Sequence, residues 1–282
     1  LLGTYPGCSR QLQFWVLLFC YLLINCQNNF QINTQHKLIN NYMTFQEIVN
    51  YRRSVRLYKN TPIDPERVMH CLKLASLSPN SSNMQMWEFY HITDSDMLKK
   101  LAVACLNQQA AKTAQQMVVF VTRQDLYRKR AKQLIELESQ NVLQNSPKEK
   151  HEKRVKTWKM YYGYVMPLLY SRFFGIPGII RKVIVSIVGL FRPITYQVSE
   201  ADARVVVHKT CALAAQTFML AMANEGYDTC PMEGLDSKRV KRILKLPMGA
   251  QINMVISCGI RAEGGVWGDR MRVPFEEVYK RF

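Results

Sequence analysis

Arg52, Arg53 and Arg56, with Ser54 among them and Tyr51 just ahead, set three guanidiniums and a hydroxyl within one short segment. Arginines offer forked N–H donors that match phosphate oxygens. Further along, Ser78, Pro79, Asn80, Ser81, Ser82 and Asn83 form a run of small polar side chains that closes at Gln85 and Trp87. Ser and Asn in such loops hydrogen-bond amide-like and hydroxyl-bearing ligands. Taken alone, the basic cluster reads most simply as a solvated helix face. Taken together, the two segments suit a ligand with a phosphate at one end and a flat, hydrogen-bonding ring at the other. A flavin mononucleotide (FMN) fits that description.

The same residues resemble the nitroreductase superfamily of FMN-dependent oxidoreductases. There, an Arg-x-Ser-x-Lys/Arg segment grips the flavin, and a Ser-Pro-Ser-x-x-Asn-x-Gln-Pro-Trp-like loop reaches in from a partner subunit. The loop matches at Ser78, Pro79, Ser81, Asn83, Gln85 and Trp87, while Met86 stands where proline is usual. The resemblance implies that Arg52 and Ser54 face the phosphate or ribityl chain, and that Pro79, Asn80, Ser81 and Asn83 belong to the cofactor site. It makes Arg56 the positive group beside the pyrimidine that stabilises the reduced flavin anion, with no further catalytic residue named. Arg53, between Arg52 and Ser54, is given no cofactor role and reads equally as a surface residue. Asn107 lies at the spacing from the following strand that the family shows for its flavin-pairing Asn; a surface Asn at a helix–loop junction is the equal alternative.

Pro231, Met232, Glu233 and Gly234 follow Gly226 in a second family-like segment, whose backbone N–H groups would address the flavin ring. Bulk at Gly234 is expected to block that approach. Arg270 and Arg272, ahead of Pro274, resemble a C-terminal element that returns to the phosphate, and their alternation puts both on one face of an extended segment. Ala110 stands where the family often has a lysine, which weakens one flavin contact that the resemblance implies. The resemblance implies a homodimer with an exchanged C-terminal segment. It also implies ping-pong transfer of hydride from NADH or NADPH through flavin N5 to a small-molecule acceptor, a nitroaromatic or quinone. Other members dehalogenate or fragment flavin.

The elements that position these groups follow from local pattern. Residues 44–53 read as a helix with Phe45, Ile48 and Val49 on one face. Asp64, Pro65 and Glu66 open a second, with Val68, Leu72, Ala75 and Leu77 inward. Residues 87–92 and 117–121 read as strands, 95–111 as a helix, and 124–159 as an exposed, charged helical region. Ser199 and Asp202 have capping-box form and start a helix through Asn224, ended by Gly226. A short amphipathic helix at 236–244 and a core strand at 252–258 complete an α+β fold, a central mixed or antiparallel sheet flanked by helices. Residues 124–198 form an insertion or lid, longer than the family minimum, on the substrate side.

At 282 residues, 48% hydrophobic and 11% aromatic, the chain is globular. It carries no G-x-G-x-x-G, no phosphate-loop motif, no H-E-x-x-H and no G-x-S-x-G, so the commonest dinucleotide, zinc-protease and serine-hydrolase readings lack support. Its eight cysteines show no C-x-x-C pair, consistent with reduced thiols. Residues 1–42 look foreign: rich in Asn and Gln, with an apolar run at 14–24 too short to span a bilayer. The preferred reading is sequence upstream of a start at Met43, with a cytoplasmic protein. Net charge is +17, and residues 123–192 carry fifteen Lys/Arg against five Asp/Glu. Nucleic-acid binding finds no motif to accompany that charge. The cationic, aromatic-rich stretch 160–192 is read first as a lid and dimer-packing segment, and second as a weak membrane-surface contact.

Overall fold

The structure, a computed structural model, describes residues 43–282. The readings made of residues 1–42, with Cys8, Cys20 and Cys26, fall outside the described residues. Of the described residues, 43–49 fall in a first unit and Asn50–Phe282 form a second, compact one. Thr44 and Glu47 cap the start of helix α1 (Phe45–Tyr51) by reciprocal hydrogen bonds of 2.6 to 3.3 Å. Everything below concerns the second.

Its centre is a four-stranded antiparallel sheet in the order β1 (Trp87–Ile92), β2 (Gln116–Thr122), β4 (Gln251–Gly259), β3 (Asp228–Met232). A bulge between Phe120 and Val121 shifts the β2–β4 register. Strand side chains alternate between faces, so β2 feeds two cores. Val118 and Phe120 meet Val68 and Leu72 of α2 (Pro65–Ala75), together with Phe218 and Met222 of a long helix described below. Met117, Val119 and Val121 face the other way, toward Leu101 of α3 (Ser95–Ala104).

Helix starts follow side-chain chemistry. Asp64 accepts the Glu66 N–H at 2.9 Å, and Asp94 the Met97 N–H at 2.8 Å. The helix expected over 95–111 is in fact two pieces, α3 and α4 (Gln109–Lys112). Leu106 and Asn107 break it by taking positive φ, +57° and +52°, without a glycine or proline to announce the turn. Leu77, expected inward, is 79% exposed because α2 ends at Ala75.

After β2, the insertion is helical throughout its folded part: α5 (Tyr127–Asn145), α6 (His151–Met160), a π-turn at Tyr161–Val165, α7 (Met166–Tyr170) and α8 (Ile176–Val188). Ala131, Leu134, Tyr162, Met166 and Tyr170 pack on Met84 and Met86 from the polar loop ahead of β1. The chain then enters α9 (Glu200–Asn224), whose capping box is complete: Ser199 Oγ accepts the Asp202 N–H and Asp202 accepts the Ser199 N–H, both at 3.0 Å. Gly226 closes the exit with φ +73°. By length and composition α9 is apolar enough to cross a membrane. Here Cys211, Ala214, Ala215, Phe218 and Met222 bury it in the core instead. α10 (Ser237–Ile243) and α11 (Phe275–Val278) complete the chain.

The five described cysteines, Cys71, Cys105, Cys211, Cys230 and Cys258, are buried and unpaired. Burial pushes the Cys71 and Cys211 thiols up to about 12, and Cys105 up to about 11, from an ordinary 9.0. Above about pH 9 the unfolded chain therefore sheds thiol protons that the folded chain keeps. This contribution to stability is complete below that pH and declines as pH rises toward the folded values. The urea midpoint is expected to fall between about pH 8 and about pH 10. An unchanged midpoint would contradict the burial.

Candidate functional site

Two distant stretches meet beside β3. Thr229 of β3 forms a parallel bridge with Ser54, and Val55 N–H donates to Thr229 O at 3.1 Å, so the basic segment lies along the open edge of the sheet. The second family-like segment after Gly226 is thus largely strand β3, with Glu233 and Gly234 beyond its end. Pro231 is compatible with it because β3 is an edge strand that needs no N–H there. Arg56 N–H donates to Gly265 O at 2.7 Å and ties the segment to the chain beyond β4. A Cβ on Gly265 would lie 2.5 Å from Leu57 O and 2.9 Å from Ala262 O. Gly265→Ala is therefore expected to destabilise the protein by about 1–3 kcal/mol, read from thermal unfolding.

This pairing makes a cleft of about 290 Å³. Arg52, Arg53, Ser54 and Arg56 line it on one side, and Trp267, Asp269, Arg270 and Arg272 on the other. Five guanidiniums thus face one small volume. Arg270 Nη2 donates to Arg52 O at 2.6 Å, and Arg53 Nη2 to Gly268 O at 2.8 Å. Arg53 is accordingly part of the cleft wall. Arg56 sits over the Trp267 ring at 4.4 Å from its centroid, a cation–π contact that aims an otherwise exposed side chain. Burial, then the like charges of Arg270 and Arg272, push the Arg52 pKa down. Asp269 is the one carboxylate in the lining against five guanidiniums, so the wall keeps an excess of positive charge that suits an anion, and its donor set fits a phosphate. The volume suits the phosphate and ribityl end of FMN, which leaves the ring to other walls.

A buried ion pair holds the frame. Asp228, at the start of β3, has a side chain 1% exposed and accepts from Arg261 N at 2.8 Å, Nε at 2.9 Å and Nη2 at 2.5 Å. Arg261 Nη2 also donates to Tyr51 O at 3.0 Å, and its guanidinium stacks on the Tyr51 ring at 4.3 Å. Tyr51 OH in turn reaches Gly226 O at 3.1 Å. The residue immediately before Arg52 is thereby fixed from three directions. Sequence alone assigned no role to Asp228, Arg261 or Trp267. Neither partner of the pair has a local signal, since 33 positions separate them.

The remaining expected residues lie elsewhere. Pro79, Asn80, Ser81 and Asn83 do not line this cleft. Their loop is shaped internally, by Gln85 N–H on Asn80 Oδ1 at 2.8 Å, and anchored to the insertion through Ser82 with Tyr161 and Tyr162. Asn107 is exposed and lines a separate, larger hollow of about 640 Å³ with Tyr58 and Lys112. Its neighbour Gln108 donates to Gly234 O at 2.7 Å and holds the turn after β3. Pro231 is half-buried and Met232 buried within β3, whereas Glu233 and Gly234 are exposed beyond it. Gly234 has no positive φ, and a Cβ there would meet only Gln108 at 3.7 Å. The chain itself does not require glycine at that position.

Comparison with known proteins gives these positions a context. The model of the Nitroreductase family matches residues 49–260. A Bacillus subtilis (strain 168) protein named "Putative NAD(P)H nitroreductase MhqN" is 24% identical over 216 residues, covering 76% of this chain and 87% of its own. A nitroreductase family protein from Streptococcus pneumoniae TIGR4 superposes with a TM-score of 0.61 at 19% identity, over 85% of this chain and 100% of its own. A chain from Exiguobacterium sibiricum 255-15, crystallised in complex with FMN, gives a TM-score of 0.60 at 21% identity, over 85% and 98%. At such identities the structural matches establish the fold.

Proposed function

The chain belongs to the nitroreductase family, and on that premise we propose that it is an FMN-dependent oxidoreductase drawing on NADH or NADPH. FMN when bound would supply the redox chemistry, hydride transfer between NADH or NADPH and a nitroaromatic, quinone or related acceptor in a ping-pong sequence. The observation that carries this reading is the convergence of Arg52, Arg53, Arg56, Arg270 and Arg272 on one cleft. Arg52, Arg270 and Arg272 would hold the phosphate through charge-assisted hydrogen bonds. Arg56, steadied by Trp267, offers positive charge on the exposed side of the cleft. The relative from Exiguobacterium, crystallised with FMN, and the nicotinamide in the name of the Bacillus relative support the same cofactor pair.

The rest of the proposal is a homodimer. The loop carrying Pro79, Asn80, Ser81 and Asn83 lies off its own cleft and is free to complete the partner's site. The C-terminal residues Met271, Val273, Phe275, Val278 and Phe282 are at least 60% exposed, as an exchanged segment would be in a single chain. The unpaired thiols support a reducing, cytoplasmic setting. Anaerobic mixing of FMN-reconstituted protein with NADH and with NADPH tests the function. Bleaching of the flavin band, reversed by a nitroaromatic or a quinone, is expected. No bleaching with either nucleotide would refute it.

A further inference from the structure

Helix α8 is docked by the face that a water-soluble helix normally exposes. Its buried positions are Gly178, Arg181 and Val185. Arg181 is 3% exposed and donates through Nε to Val198 O at 2.6 Å, and through Nη1 to Leu168 O at 2.7 Å and Ser171 O at 3.1 Å. Gly178 allows the close approach, since a Cβ there would lie 2.9 Å from Glu200 N. The helix is therefore held firmly, at the cost of burying a guanidinium whose Nη2 finds no partner.

What that arrangement leaves outside is a stripe of branched aliphatics. Ile176, Ile179, Ile180, Val183, Ile184 and Ile187 recur at helical spacing, each between 48% and 66% exposed. Phe173 and Phe174 extend the apolar surface at one end, and Leu190 and Phe191 at the other, with exposures from 63% to 91%. Arg172, Lys182 and Arg192 are exposed around it. No Asp or Glu occurs between Glu152 and Glu200. A continuous apolar surface of this kind marks an interaction site.

We propose that α8 lies in the plane of an anionic lipid surface, with the isoleucine stripe at the acyl boundary and Arg172, Lys182 and Arg192 against lipid phosphates. Charge selects this occupant. A second copy seated on the same face would add the same cations to the patch, and the carboxylates that flank it are already engaged, Glu200 by the Phe173 N–H at 2.8 Å and Asp202 by Ser199, so it brings no free counter-charge. An anionic leaflet neutralises them, and long basic side chains at the edge of an apolar stripe reach headgroups readily. At 13 residues α8 is too short to span a bilayer, which needs about 20. The inference does not depend on the flavin reading.

Co-sedimentation of the full chain with vesicles tests it, using phosphatidylcholine alone and phosphatidylcholine mixed with phosphatidylserine. The wild type is expected to pellet with the mixed vesicles and to be released by salt. The double variant Ile180→Glu/Ile184→Glu is expected to lose partitioning at least about ten-fold. Arg172→Glu/Lys182→Glu is expected to lose the preference for phosphatidylserine. All four positions are exposed, so circular dichroism should be unchanged. Wild-type protein that stays in solution overturns the proposal, as does undiminished binding of the isoleucine variant. A fall in oligomer mass by light scattering in that variant, without vesicle binding by the wild type, would identify the stripe as a self-association face and equally overturn it.

Discussion

Replacing Arg52 by alanine is expected to weaken FMN binding by about ten- to a hundred-fold while leaving the apoprotein as stable as before, or more so. The two halves of this expectation come from one geometry. A hydrogen bond from a guanidinium to phosphate contributes about 1.5–3 kcal/mol, which is that range in affinity. Without an anion, Arg52 stands half-buried among Arg53, Arg270 and Arg272, and its depressed pKa records the repulsion. Truncating it relieves like-charge crowding in the ligand-free fold. A residue with a merely structural role behaves the other way and lowers the melting temperature of the apoprotein. Thermal unfolding with and without FMN separates the two. Ligand-induced stabilisation should shrink in the variant, and the ligand-free transition should not move down.

Asp228→Ala is expected to have the largest effect on stability, a loss of about 3 kcal/mol, at the lower end of the range for breaking a buried ion pair. The low end applies because Arg261 keeps a side chain 32% exposed and so retains some water once its partner is gone. Three hydrogen bonds disappear at once, and with them the scaffold that seats Tyr51 ahead of Arg52. FMN affinity should therefore fall as well, although Asp228 is no part of the cleft lining. Urea unfolding measures the first effect and flavin titration the second. A stable variant with normal affinity would show that the cleft is framed by backbone pairing alone.

What could be read from the sequence was mostly local. Asp64 and Ser199 announced their helices because an N-cap acts on N–H groups two or three residues away. The strands β1, β2 and β4 were legible as short apolar runs bounded by polar turns. Strand β3 was not, because Pro231 sits inside it and only its edge position makes that harmless. The turn at Leu106 and Asn107 was hidden because no glycine or proline marks it: Asn107 tolerates positive φ, but Leu106, which adopts it first, does not favour it. At the site, the basic residues at both ends of the chain could be named in advance because guanidiniums have a recognisable partner chemistry. Arg53 could be read as a surface residue because nothing local indicates that Gly268 O will accept from it and turn it toward the cleft. Asp228 with Arg261, and Trp267 beneath Arg56, depend on chain reversals that no spacing reveals. In the insertion, apolar periodicity alone would have turned the isoleucines of α8 inward, and the interior partners of Arg181 decide the opposite.

The central claim, that Arg52, Arg270 and Arg272 form the phosphate grip of a five-guanidinium cleft for a flavin, is tested most directly by fluorescence titration of the apoprotein with FMN and with riboflavin. The two ligands share the ring and ribityl chain and differ only in the phosphate. Tight FMN binding, with riboflavin weaker by at least about a hundred-fold and FMN affinity falling as salt rises, is the predicted result. Equal affinity for the two, or no binding of either, would contradict the assignment of the cleft.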